Sequence, residues 1–188
     1  IDMFKNDVRY RDNIAHVETI PAKKASFKKV DNLNEKIINY LEKRDVKLYQ
    51  HQAETYEAIK DGEHVIITTP TASGKTLAFN LPIMETMIED RDATALYIYP
   101  AKALSNDQLH VLENLEEELD IKINPRTYDG DTPREDKRGI REKSRIVLTN
   151  PYQLHLILSW HHQWARFYRN LRYIVIDESQ YYKGVFDL

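Results

Sequence analysis

Thr69-Pro70-Thr71-Ala72-Ser73-Gly74-Lys75-Thr76 lies between two stretches of opposite character. Ahead of it runs His64-Val65-Ile66-Ile67-Thr68, short, apolar and β-branched. Behind it, Leu77-Ala78-Phe79-Asn80-Leu81-Pro82-Ile83-Met84 carries apolar residues at helical spacing. A buried strand over 64–69, a tight loop and then a helix form the context that a phosphate-binding loop requires. Small residues let successive backbone N–H groups turn inward on a phosphate, and the start of the helix adds the positive end of its dipole. Thr71, Ala72, Ser73 and Gly74 supply that cradle. Lys75 would then reach the β- and γ-phosphates of a bound nucleotide, and the Thr76 hydroxyl would sit on Mg²⁺. The usual pattern begins with Gly, where this chain has Thr69. A loop that is basic by chance is the plainer reading of Gly-Lys-Thr, and the flanking strand and helix weigh against it.

At 188 residues, one domain with a sizeable core is the natural expectation. A net charge of −3 gives no global signal for nucleic acid, so contact with a phosphate backbone must come from local groups. The absence of cysteine excludes disulfides and thiolate metal sites within these residues. No signal peptide and no apolar run of membrane-spanning length are present, which fits a monomer in the cytoplasm, or in a nucleus, with no membrane partner. Beginning at Ile1 and ending at Leu188, the chain reads as a piece of something longer.

Residues 1–32 form a polar lead-in with the basic pairs Lys23-Lys24 and Lys28-Lys29, and 33–188 form the domain. Leu33, Ile37, Ile38 and Leu41 mark an amphipathic helix over 33–44. A second helix over 50–60 ends at Asp61-Gly62, where Gly can take the left-handed conformation. The helix after Lys75 contains Pro82, which removes one hydrogen bond. Strands follow at 94–99, 123–128, 145–149 and 173–176, separated by helices over 103–119, from Thr132, over 151–158 and over 162–169. Thr132-Pro133-Arg134-Glu135 reads as a capping box opening a charged surface helix. Trp160, Trp164 and Phe167 recur at spacings that place them in the core. Five short strands alternating with helices imply an α/β sandwich: a mainly parallel central sheet with helices on both faces.

Such sheets bind ligands at the carboxyl ends of their strands. Asp177-Glu178 follows the last strand, where an aspartate holds Mg²⁺ and a glutamate polarises an attacking water.

The ordered motifs resemble the first RecA-like domain of superfamily 2 helicases of the DExH type. The likeness is greatest to the branch distantly related to RecQ that carries a C-terminal cysteine-rich domain. The carrying segments are Leu48-Tyr49-Gln50-His51-Gln52, Thr69 to Leu77, Tyr99-Pro100-Ala101-Lys102-Ala103-Leu104 and Tyr128-Asp129-Gly130-Asp131-Thr132-Pro133. They continue with Leu148-Thr149-Asn150-Pro151 and Val175-Ile176-Asp177-Glu178, running into Tyr182-Lys183-Gly184-Val185-Phe186. His16 to Ala22 in the lead-in is similar to the same branch.

The resemblance implies a P-loop NTPase fold and ATP-dependent unwinding of single-stranded or partly duplex DNA, with RNA possible and DNA repair as a setting. Gln52 would read adenine, with Tyr49 stacking nearby. Pro100, Lys102, Thr149, Asn150 and Pro151 would contact the backbone of a single strand, although Asn150 is also a plain helix cap. Lys75 and Glu178 would serve catalysis, Thr76 and Asp177 the metal. A second RecA-like domain of the same longer chain would complete the site. This branch usually has Asp-Glu-Leu-His where this chain has Asp177-Glu178-Ser179-Gln180. Gln180 therefore stands where a side chain couples ATP chemistry to nucleic acid. A nucleotide-gated binding module with little hydrolysis is the alternative reading. A P-loop kinase or transporter ATPase explains fewer of the motifs.

Overall fold

The computed structural model describes residues 7–11, 13, 16, 18, 24–69 and 73–182. Its centre is β1 (Thr94–Ile98), buried at every position. The strand is paired in parallel on one side with β3 (Ile146–Thr149) and on the other with β4 (Leu171–Ile176). β2 (Arg126–Thr127) adds to β3, giving the order β2-β3-β1-β4 with every ladder parallel. A strand covered on both faces needs an unbroken apolar run, and Ala95-Leu96-Tyr97-Ile98 provides it.

The alternation of β1 side chains divides the interior in two. Ala95, Tyr97 and Tyr99 join Ile146 and Leu148 in the larger core, beneath α2 (Glu35–Lys43), α3 (Gln50–Lys60), α4 (Lys75–Glu89) and α5 (Lys102–Glu118). Leu96, Ile98 and Val147 face the smaller one. That core is closed by Ile140 of α6 (Arg134–Lys143), Ile157 of α7 (Pro151–Ser159), Trp164, and Phe167 of α8 (Ala165–Arg169). The two-faced α/β sandwich expected from the strand and helix pattern is therefore present. The lead-in contributes one short helix, α1 (Val8–Arg11). Among the described residues no helix is long and apolar enough to cross a membrane.

Local signals account for most boundaries. The Asn34 side chain accepts from Lys36 N–H to open α2, and Asn150 accepts from Gln153 N–H at 2.8 Å to open α7. Gly62, at φ 85°, ends α3, where Glu63 N–H reaches Ala58 O and Gly62 N–H reaches Ile59 O. Those two bonds are the left-handed closure that glycine permits without strain.

Four expectations are corrected. Residues 64–69 form no strand: Ile66 is 88% exposed and Val65 36%. A strand is defined by ladder bonds, and β4 pairs only with β1, so among the described residues no neighbour accepts this run. The strand expected over 123–128 shrinks to Arg126–Thr127, because Ile123 and Asn124 give their N–H groups to the Glu116 carboxylate. Thr132 does not cap α6. Its hydroxyl accepts from Asp129 N–H and reaches the Thr127 carbonyl, leaving Pro133 as a cap without a side-chain bond. Trp160 is 58% exposed, whereas Trp164 and Phe167 are buried, because a 3₁₀ turn over His161–Trp164 shifts the helical phase.

Arg145 closes the end of the sheet opposite the carboxyl edge. Its guanidinium donates to the carbonyls of Ala93, Lys122, Met87 and Asp90, the last two ending α4. Burial pulls its pKa down, opposed by the charges of Asp90 and Asp92. Arg145→Met keeps the volume but strands those carbonyls. Thermal or urea unfolding should show a loss of about 3 kcal/mol, and a loss below about 0.5 kcal/mol would remove Arg145 from this role.

Candidate nucleotide and nucleic-acid site

α4 ends beside the start of β1, with Asp90 O held by Arg145, so its N-terminus lies at the carboxyl edge of the sheet. Gly74 opens it in the left-handed region at φ 78° with no side-chain cap. A helix start without a capping side chain is the kind of place where an anion is favoured. The described residues on the two flanks of the loop ahead are bonded to each other. Thr69 Oγ1 and Ser73 Oγ are 2.6 Å apart, and Lys75 Nζ donates to the Thr69 carbonyl. Thr69, standing in place of glycine, thus holds both ends of the loop. Thr71 and Ala72 lie outside the described residues, as do Pro70 and 183–188.

Gln52 is buried and spends both halves of its amide on the protein. Its Oε1 accepts from Tyr49 N–H at 2.9 Å, and its Nε2 donates to the Gly74 carbonyl at 3.0 Å. A Cβ on residue 74 would collide with that same Nε2. Tyr49 stacks on Phe27, ring centroids 5.2 Å apart, and on His51 at 5.8 Å, with 40% of its surface exposed.

A network absent from the sequence reading fixes α3 against α4. The Glu85 side chain is 2% exposed beside Lys60 Nζ at 2.9 Å. It also accepts from Tyr56 O–H and from Asn34 N–H, the latter at 2.7 Å. A buried carboxylate is tolerated only with such partners. The signal was a lone acid inside the apolar run Leu81 to Met87.

Asp177 leaves β4 with its N–H on Ile98 O at 3.1 Å, and its Oδ1 accepts from Glu178 N–H. Glu178 is left-handed at φ 51°, unusual for a residue with a Cβ, and its carboxylate accepts from Gln180 Nε2. The Tyr99 hydroxyl is buried without a partner, and burial first, then the charges of Asp177 and Tyr182, push its pKa well up. The described residues contain no group of three or more His, Cys, Asp or Glu able to hold a metal. One hydroxyl, Thr76, with one carboxylate, Asp177, is instead a set that suits Mg²⁺ bound mainly through phosphates and waters.

Along the same edge, Lys102 pairs with Asp131 and lies 4.0 Å from Asp129, and the Asp131 bond raises its pKa. Asp129 is a turn residue whose Oδ1 accepts from Asp131 and Thr132 N–H. Thr149 is 2% exposed and its hydroxyl is spent on Tyr128 O. Asn150 caps α7, Pro151 is its first residue, and Pro100 is half-buried just beyond β1. The strands thus bring Pro100, Lys102, Thr149, Asn150, Pro151, Asp177 and Glu178 to one edge, while leaving Thr149 no free hydroxyl.

The model of the family described as DEAD/DEAH box helicase matches residues 49–187. The Bacillus subtilis protein named Uncharacterized ATP-dependent helicase YprA is 39% identical over 96% of this chain and 25% of its own length. ATP-dependent helicase HRQ1 of Saccharomyces cerevisiae is 35% identical over 99% of this chain and 18% of its own. Among solved structures, the DUF1998 helicase MrfA bound to DNA and AMPPNP superimposes with a TM-score of 0.85 at 40% identity, over 88% of this chain and 24% of that one. The chain spans about a quarter or less of the length of these relatives.

Substituting Gln52 tests its two bonds. Gln52→Ala should weaken ATP and GTP together by about 1 kcal/mol through the lost tether to Gly74. If the amide also turns to adenine when nucleotide binds, ATP should lose roughly 1–3 kcal/mol more. Titrations with both nucleotides measure the shared and the base-specific losses, and unchanged affinity for either would dismiss the tether.

Proposed function

The chain belongs to the DEAD/DEAH box helicase family, and from that premise we propose that it is the ATP-binding motor domain of an ATP-dependent DNA helicase. The observation that supports this reading is topological: two sets of groups belong to the carboxyl side of one sheet. The uncapped start of α4 with Lys75 and Thr76 lies there, and so does Asp177-Glu178 at the end of β4. Lys75 draws the outer phosphates onto the helix start, and Thr76 and Asp177 hold Mg²⁺. That ion, when bound, neutralises phosphate charge. Glu178 orients and deprotonates the attacking water. Gln52 ties adenine recognition to the loop. Lys102, Asn150 and the edge around Pro100 and Pro151 carry the strand, and the MrfA structure is of that protein bound to DNA and AMPPNP.

The Bacillus subtilis and Saccharomyces cerevisiae relatives are named ATP-dependent helicases and are far longer than this chain. This supports a second RecA-like domain that closes on the site and supplies an arginine, and it leaves room for a cysteine-rich C-terminal domain. One feature favours the binding-module alternative: a Glu178 carboxylate oxygen already accepts from Gln180 Nε2.

Two substitutions in the complete protein separate these roles. Lys75→Ala should weaken nucleotide binding, while Glu178→Gln should keep binding and stop turnover. Equal loss of binding in both would end the assignment, and unchanged slow turnover in Glu178→Gln would favour the module. By themselves, the 188 residues should hydrolyse ATP slowly. An arginine from outside is worth about a thousandfold or more in related phosphoryl transfer. Strong stimulation of this chain by single-stranded DNA would refute the need for a second domain.

A further inference from the structure

Pro82 sits inside α4 and has no N–H, so the Ala78 carbonyl four residues back lacks its helical donor. Beyond this break the helix is moored to the sheet. Met84 and Met87 are buried, Thr86 Oγ1 lies 2.7 Å from the Tyr173 hydroxyl, and Arg145 takes the Met87 and Asp90 carbonyls. Just ahead of the break, Asn80 accepts from the Tyr97 hydroxyl at 2.8 Å. The opening turn of α4 has its hold from α3, through Gln52 Nε2 on the Gly74 carbonyl.

α3 contains neither glycine nor proline. Gln52, Tyr56 and Lys60 recur every four residues and so share one face of it. One or two turns beyond Gln52, Glu85 fastens that face to α4. Its Oε2 accepts from Tyr56 O–H and lies 2.9 Å from Lys60 Nζ, while its Oε1 accepts from Asn34 N–H. Burial first, then the bond to Glu85, pushes the Tyr56 pKa well up, so the hydroxyl stays a donor at neutral pH.

We propose that α3 is a splint across the proline break in α4, and that Glu85, which fastens it, is a positioning residue for nucleotide binding. Glu85 fixes α3 to the moored part of α4. α3 carries that position through Gln52 to the opening turn, where phosphate is received. The proposal rests on the nucleotide-binding reading above and adds to it a side chain that touches no nucleotide.

The test is titration of the complete protein with fluorescent mant-ADP and Mg²⁺. Glu85→Gln keeps an oxygen for Asn34 N–H, and Lys60 retains Glu89 at 3.3 Å, so the substitution unfastens α3 alone. It should weaken mant-ADP about two- to fivefold, and Tyr56→Phe, which removes one of two fasteners, should weaken it less. In a Gln52→Ala background Glu85→Gln should cost nothing further, because the path to the opening turn is already cut. Pro82→Ala restores the missing helical donor and should recover affinity in Glu85→Gln. Wild-type affinity in both Glu85→Gln and Tyr56→Phe would overturn the splint while leaving the nucleotide site in place. So would an equal loss with and without Gln52, or no recovery by Pro82→Ala, either of which would make Glu85 a stabiliser of the fold alone. A wild-type protein that does not bind mant-ADP would overturn the nucleotide reading and the splint together.

Discussion

A buried carboxylate must be surrounded by donors, and Glu85 draws its donors from elements far apart in the chain. Asn34 N–H comes from the start of α2, Tyr56 O–H and Lys60 Nζ from α3, and Glu85 itself from the middle of α4. Removing one partner from such a group leaves charge stranded in a medium of low dielectric, which couples the three helices tightly. The consequence appears at the other end of α3 and α4. There Gln52 meets the Gly74 carbonyl at 3.0 Å, and the helix start that faces phosphate is held against the helix that carries Gln52.

The carboxyl edge of the sheet shows a division of labour among groups that look alike in sequence. Thr149 and Asp129 are consumed by the architecture, one hydroxyl on Tyr128 O and one turn, while Asn150 spends only its amide oxygen on the helix cap. Lys102 has chemistry left over, because its partner is an exposed carboxylate. Binding capacity on this edge is therefore set by which polar atoms the fold does not use.

The outer edge of β4 and the run at 64–69 are linked by the same constraint. Ile174 and Ile176 are more than half exposed, and Ile66 is almost wholly so. Parallel strands gain their stability from ladder bonds on both sides and cover on both faces. Both segments have strand-forming side chains without that company among the described residues.

Sequence alone determined the alternating plan, the α4 start at Lys75, the Asn150 cap, the glycine stop at Gly62 and the placement of Asp177-Glu178 after the last strand. These are local matters: apolar period, left-handed glycine, side-chain caps and strand ends are written within a few residues of where they act. Tertiary structure decided the rest. Whether 64–69 becomes a strand depends on a neighbour, and whether Trp160 is buried depends on the pitch of the turn after it. The partners of Gln52, Glu85 and Lys102 lie 22, 51 and 29 positions away. Which hydroxyl remains unsatisfied can be known only after every other atom has been placed, because hydrogen bonding is a competition across the whole fold and the pattern of side chains along a strand does not record who wins it.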